Sequence, residues 1–292
     1  MTCPHRLAVR DKAQGGRQRT PKKRIFAKNK EMGELVSVVM PSYNAAAFIA
    51  ESIEGVLNQT YKDIELLIAD DGSTDDTQAI VQAYQQRDAR IRLLILSGNQ
   101  GAGAARNKCI EAARGRYIAF CDSDDTWEPT KLEAQVAFMK ENGYSFAFAS
   151  YYVMNKAGER LGLVEAPASV DLADTMRDDK IGFLTAIYDA EALGKLYMPL
   201  LRKRQDWAYV LMLLQRCERA YALPQPLATY RKGHGSISHN KLSLVKYNIR
   251  VYELVFGYSP LRACLFFTFL FLPHYALKRA RLAVRNKRRD ER

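Results

Sequence analysis

From Leu35 onward, short continuous apolar runs alternate with longer stretches whose apolar positions recur every three to four residues. LVSVVM at 35–40 is a β-branched run of the kind that forms a strand buried on both faces, and Pro41 is expected to end it. A helix is expected across AAAFIAESIEGVLNQ, followed by a strand at IELLIAD, a helix at DDTQAIVQAYQQRD and a strand at IRLLIL. GAGAARNKCIEAARG then reads as a helix and RYIAFCD as a fourth strand. Strands that alternate with helices need crossover connections, so this half predicts an α/β fold, Rossmann-like, with a mostly parallel sheet and helices on both faces. Ligands of such sheets bind where the strands end. The unusual polar clusters all fall there: PSYN, DDGSTDD, SGNQG and DSDD, one after each strand.

Past Trp127 the pattern loosens. A helix over 129–141, a strand-like FAFASYYVM, a variable stretch to about Lys180 and a helix at DWAYVLMLLQRCE are expected. A strand-like AYALPQPLATYRK leads into the polar, glycine-containing loop KGHGSISHN. An amphipathic helix near 240–256 and the apolar segment ACLFFTFLFLPHYAL at 263–277 follow. That segment is interrupted by Pro273 and His274 and falls short of the roughly 20 residues that a spanning helix needs. A helix lying in the headgroup region fits it better, with a core helix as the alternative.

Charge divides the chain in the same places. The formal net charge is +12, with ten Lys/Arg against three acids in residues 1–34 and nine against two in 261–292, so the middle is near neutral. Residues 1–34 show no apolar period and read as a disordered basic arm, residues 35–239 as the folded domain, split near 127 into nucleotide-binding and acceptor halves, and 240–292 as a C-terminal helical extension. Basic residues after Lys278 suit an anionic membrane surface. The N-terminus carries no apolar run of signal-peptide type, and the five cysteines include no C-x-x-C pair, so a reducing, cytoplasmic setting is expected.

The chemistry concentrates in Asp122-Ser123-Asp124-Asp125. Three carboxylates in four positions repel one another and persist only with a cation or in open solvent. Hard oxygen ligands select Mn2+ or Mg2+, completed by the phosphates of a nucleotide. A solvated helix-capping turn is the bland alternative. In DDGSTDD, Gly72 permits a sharp turn, Asp75 or Asp76 can cap the next helix, and Asp71 is placed to meet a nucleotide base on which Tyr43 could stack. Asp206 can be either a general base or an N-cap, and Trp127 and Trp207 read as packing residues that border the acids.

Residues 36–77 and 98–127, together with KRQDWAYVLML at 203–213 and YRKGHGSIS at 230–238, resemble family-2 glycosyltransferases of the GT-A fold. The bacterial surface-polysaccharide enzymes, of capsule, teichuronic acid or O-antigen type, are the most similar. The resemblance implies that Pro41, Tyr43, Asp71, Arg106, Asp122, Ser123, Asp124, Arg231 and His234 bind the nucleotide-sugar. It implies further that Asp122 and Asp124 hold Mn2+ or Mg2+ as a D-x-D motif, and that Asp206 is the catalytic base. Pro41 stands where some relatives carry a hydrogen-bonding side chain. One base opposite the leaving group implies inversion, hence a β-linked product from an α-linked donor. A UDP-hexose donor, a saccharide acceptor carried on a lipid diphosphate, and peripheral attachment to the inner face of the cytoplasmic membrane complete the expectation. A nucleotidyltransferase lacks support because no G-x-x-x-x-G-K-S/T loop is present. Nucleic acid is opposed by the near-neutral middle, and an inactive polysaccharide-binding scaffold by the intact acids.

Overall fold

A computed structural model describes residues 34–233 and 241–277. The expected N-terminal arm, most of the polar loop with His234, and the basic tail from Lys278 lie outside these residues.

The first half builds as its apolar pattern dictates. β1 (Val36–Ser42), β2 (Ile64–Asp70), β3 (Ile91–Ile95) and β4 (Tyr117–Phe120) are joined by α1 (Ile49–Leu57), α2 (Thr77–Arg87) and α3 (Ala102–Ala112). They lie parallel in the order β3-β2-β1-β4. Alternate residues of the central strands feed two cores. Val39, Leu67, Ala69 and Ile118 pack with α3 on one face, whereas Val38, Met40, Leu66 and Ile68 pack with α1 on the other. Burial on both faces is why these strands read as unbroken apolar runs.

β1 runs through Pro41, beyond the end expected for it, with Pro41 opposite Ala69 of β2. Pairing with β4 stops at Val39–Phe120, and the Cys121 amide donates to the Val39 carbonyl. Position 41 faces that same side beyond the end of β4, so the missing proline N–H costs no ladder bond.

After β4 the sheet becomes mixed. β5 (Thr126–Trp127), α4 (Lys131–Asn142), β6 (Phe146–Met154), β7 (Arg160–Val164), β8 (Ser169–Asp171) and α5 (Leu172–Arg177) lead to a 3-10 turn at Phe183–Thr185. β9 (Ile187–Asp189), α6 (Ala190–Leu193), α7 (Gln205–Leu214) and β10 (Arg219–Arg231) follow. β9 inserts antiparallel between β4 and β6, and β10 lies parallel to β6 with register shifts around Pro226. The sheet order continues β4-β9-β6-β10-β5, which carries β10 back beside the end of the fourth strand.

α8 (Lys241–Phe256) and α9 (Pro260–Phe266) dock on α7 through a third core of Trp207, Leu211, Val251, Tyr252, Ala263, Phe267 and Phe271. The helix continues past α9 through a π-turn at Phe267–Phe271 to Leu277 despite Pro273. A π-turn relaxes the ladder just where the proline would clash with it. At 18 residues, Pro260–Leu277 is long and apolar enough to cross a membrane by length and composition. Its inner face is docked, while Leu261, Leu265, Phe269 and Leu272 are exposed. One face thus packs as the core-helix reading expects, and the other is open.

Gly72 shows how tightly the strand-end loops cross. Its φ is +76°, and a Cβ there would lie 2.9 Å from the backbone of Gly98. Gly72→Ala is expected to cost about 2 kcal/mol or more, from the left-handed backbone and the backbone collision together. Chemical denaturation checks it, and an unchanged midpoint would contradict the crossing.

Candidate active site

The ends of β1, β2, β3 and β4 open into one cavity of about 670 Å³. Its wall carries Pro41, Ser42, Tyr43 and Asn44 from the first strand end, Asp71 from the second, Asn99 to Arg106 from the third, and Asp122, Ser123 and Asp124 from the fourth. The second half of the domain contributes Leu200, Leu201, Arg202 and Gln205. Parallel strands deliver these residues to one edge because each strand ends where the next loop begins.

Tyr43 is 49% exposed, so its ring face is open to a planar ligand. Asn44 has φ +46°, and its side chain accepts the Thr74 amide at 2.8 Å, tying the first loop to the second. Asp71 is nearly buried, and its two carboxylate oxygens accept the amides of Gln100 and Gly101, each at 2.7 Å. Each oxygen keeps a second lone pair, so Asp71 shapes the start of α3 and can still accept from a base. The Ser42 hydroxyl is buried without a partner on the same wall, a donor that sequence reasoning did not single out beyond the PSYN cluster. Asp75 accepts from Thr77 and from the Ala46 amide, whereas Asp76 occupies the cap position of α2 with no capping hydrogen bond.

The DSDD turn separates its three acids. Arg106, buried in the wall, pairs with Asp122 at 2.5 Å, and its Nε is buried without a partner. Burial, with the neighbouring charge of Asp122, pushes the Asp124 carboxyl up to about 6. Asp125 points away from the cavity, fully buried, and accepts the Arg231 amide at 3.0 Å. Burial, Asp122 and Asp124 hold its carboxyl well above the usual range. Two carboxylates thus remain for a cation, one of them resisting ionisation without it. Among the described residues no cluster of three or more metal-binding side chains exists. Asp122 and Asp124 fit Mn2+ or Mg2+ as the partial set that a diphosphate completes.

Arg231 departs from its expected place. It is 3% exposed at the end of β10 and does not line the cavity. Its Nε donates to the Asp124 carbonyl at 3.0 Å, its other nitrogens reach Glu51 at 2.5 Å and the Lys156 carbonyl, and its guanidinium lies over Phe48. It holds the acidic turn from behind, a role made by partners 75 to 180 positions away that no local pattern announces. His234 lies outside the described residues.

Asp206 is in the first turn of α7, and its Oδ1 accepts the Trp207 amide at 2.9 Å. The cavity wall reaches its neighbour Gln205, while Asp206 and Asp122 both act on buried Arg106. Asp206 is not the helix cap, because Arg204 occupies that position with φ +65° and no capping hydrogen bond. Trp127 and Trp207 are buried, and their indole N–H groups donate to the Leu184 and Thr175 carbonyls, as packing residues do. Sequence reasoning missed Gln205 and the 200–202 wall, whose only signal was adjacency to Asp206.

The sequence profile of Glycosyl transferase family 2 matches residues 37–194, more than half of the chain. The chain belongs to that family. This glycosyltransferase is 43% identical over 220 residues to TuaG of Bacillus subtilis (strain 168), named as a teichuronic acid biosynthesis glycosyltransferase, spanning 75% of this chain and 87% of that one. It is 37% identical over 212 residues to WfgD of Escherichia coli, spanning 73% and 83%; WfgD is named as a UDP-Glc:alpha-D-GlcNAc-diphosphoundecaprenol beta-1,3-glucosyltransferase. Its fold is shared with Staphylococcus aureus TarS 1–349 in complex with UDP-GlcNAc, with a TM-score of 0.63 at 22% identity, covering 80% of this chain and 73% of that one. It is also shared with the mannosyltransferase PcManGT of Pyrobaculum calidifontis in complex with GDP-Man and Mn2+, with a TM-score of 0.59 at 15% identity, covering 80% and 68%. The glycosyltransferase thus has the GT-A architecture expected of it, followed by the docked C-terminal helices.

Proposed function

We propose that this glycosyltransferase moves a hexose from a UDP-sugar, with inversion, onto a saccharide acceptor carried on a lipid diphosphate, in bacterial surface-polysaccharide synthesis. The observation that carries the reading is the single cavity that gathers Tyr43, Asp71, Arg106, Asp122 and Asp124 beside the α7 turn bearing Asp206. Tyr43 and Asp71 suit the base, and the buried, unpaired Nε of Arg106 suits a diphosphate oxygen. Mn2+ or Mg2+, when bound by Asp122 and Asp124, supplies Lewis-acid stabilisation of charge on the leaving diphosphate. Asp206 takes the proton of the acceptor hydroxyl as it attacks from the opposite face. The WfgD name supports both a UDP-glucose donor and a lipid-diphosphate acceptor. A panel of UDP-, GDP- and dTDP-sugars tests the donor, with binding and nucleotide release as readouts. Preference for one UDP-hexose is expected, and failure to bind any nucleotide-sugar would overturn the reading.

The exposed side of Pro260–Leu277, which presents Leu261 at 73% and Phe269 at 75% exposure, supports attachment to the inner face of the cytoplasmic membrane. Phe269→Asp is expected to weaken partitioning onto phosphatidylglycerol vesicles about tenfold or more, the scale of one aromatic side chain withdrawn from lipid. The docked face is untouched by this change, so equal partitioning of variant and wild type would remove the membrane assignment.

A further inference from the structure

The chain between α6 and α7 lacks regular structure, yet side chains pin it to the first half of the domain. Asn107 of α3 accepts the Met198 amide at 2.7 Å and donates to the Met198 carbonyl at 2.9 Å, and Lys195 donates to the Ala113 carbonyl. Gly103 of the same helix leaves room for the segment, since a Cβ there would lie 2.6 Å from Oε1 of Gln205 and 3.6 Å from the Pro199 carbonyl oxygen. Leu196 and Met198 are buried. α3 therefore fixes two things at once: Arg106 beside Asp122 and, through the next residue, Asn107, the segment that brings Leu200, Leu201 and Arg202 to the cavity.

What this anchored segment displays is not what packing requires. Leu200 lines the cavity and is still 76% exposed, which puts it at the rim, and Tyr197 is half exposed on the same segment. Arg202 also lines the cavity, is exposed, and makes no hydrogen bond or ion pair among the described residues. Arg106, the other arginine of the wall, is already paired with Asp122. Leu201 both lines the cavity and packs against the third core, so the rim is continuous with the docked helices whose outer face is apolar. A single exposed leucine needs no explanation. A leucine held at a cavity rim beside an unpaired arginine, on the side of an apolar helix face, matches a ligand that carries anionic and hydrocarbon parts next to each other.

We propose that residues 200–202 form the subsite for the acceptor's lipid diphosphate: Arg202 takes the diphosphate, Leu200 covers the first carbons of the lipid chain, and the saccharide extends past Gln205 toward Asp206. The proposal rests on the reading of the acceptor as a saccharide carried on a lipid diphosphate. The two diphosphates of the reaction then meet different arginines of one cavity, the donor's at Arg106 and the acceptor's at Arg202. A planar guanidinium suits such an anion because it offers paired N–H donors to phosphate oxygens. The lipid chain leaves the rim on the side of Leu201 and the C-terminal helices, where apolar surface is already exposed.

Titration calorimetry with saturating UDP and Mn2+ tests this on wild type, Arg202→Gln and Leu200→Ser. The probes are N-acetylglucosamine 1-diphosphate esterified with a decyl chain or with a methyl group. Both side chains are exposed, so neither change reaches the core, and UDP binding measured alone checks that each variant is folded. Arg202→Gln is expected to weaken both probes about tenfold, the scale of a charge-assisted contact to a diphosphate, and to keep the wild-type preference for decyl over methyl. Leu200→Ser is expected to cut that preference about fivefold, the scale of a leucine side chain withdrawn from hydrocarbon. An unchanged probe affinity in Arg202→Gln, or an unchanged preference in Leu200→Ser, would overturn the proposal and leave the acceptor reading standing. A wild type that binds UDP but neither probe would remove the lipid-diphosphate acceptor itself, and the proposal with it.

Discussion

Asp206→Asn is expected to lower kcat by about 10²–10⁴-fold, the usual worth of a general base, while donor affinity stays within about twofold. The substitution is chosen for what it preserves. The Oδ1 of Asp206 accepts the Trp207 amide at 2.9 Å, and an asparagine oxygen can accept the same bond. Trp207 itself stays locked by its bond to the Thr175 carbonyl and by rings of Tyr252 and Phe271 within 6 Å. The first turn of α7 therefore survives, and only the capacity to take a proton is lost. If Asp206 served the helix alone, the variant would keep its activity. Initial rates at saturating donor, with nucleotide binding measured separately, distinguish the two roles.

Asp124→Asn is expected to lower kcat by about 10²–10³-fold, comparable to the loss of one group that stabilises transition-state charge. Its pH behaviour is the sharper test. Burial and the Asp122 charge raise the Asp124 carboxyl from 3.8 to about 6 in the free protein. A cation must displace that proton, so Mn2+ affinity should fall about tenfold per pH unit below pH 6 and level off above it. For the metal-free protein the sign is the same as for any acid whose folded pKa is raised. The stabilising contribution is full below the ordinary carboxylate range and is lost as pH rises through about 6. Asp124→Asn should flatten both dependences. Titration calorimetry with Mn2+ at pH 5, 6 and 7 reads the first, and thermal melts in EDTA read the second. A wild-type affinity that is flat from pH 5 to 7 would contradict the buried environment described for Asp124.

Much of the first half of the domain was legible because its chemistry is local. Strands buried on both faces leave continuous apolar runs, and the loop that ends each run carries its own polar signature, so PSYN, DDGSTDD and DSDD could be assigned to one edge before any coordinates. The second half of the domain gave far less. β9 is three residues long and owes its place between β4 and β6 to neighbours rather than to its own pattern. β10 forms over the segment that read as strand-like, but its register shifts about Pro226 are set by pairing with β6 and leave no mark in the pattern. Long-range partners decided the remaining differences. Asp125 read only as one of three clustered acids, and the amide of Arg231, 106 residues away, is what claims it. Arg231 in turn read as a nucleotide-sugar-binding residue through its motif, whereas it is buried with hydrogen bonds to Glu51 and the Asp124 carbonyl. The C-terminal segment misled in a different way: Pro273 suggested an interruption, and the π-turn before it lets the helix continue.

The most direct test of the central claim is the initial rate of nucleotide release from UDP-glucose by purified wild-type protein, with a lipid-diphosphate-linked saccharide as acceptor, in Mn2+ and in EDTA. Acceptor-dependent release in Mn2+ that is abolished by EDTA is the result predicted from the cavity, the Asp122–Asp124 pair and Asp206. Release that is unaffected by EDTA would contradict the metal-assisted departure of the diphosphate on which the reading of the site depends.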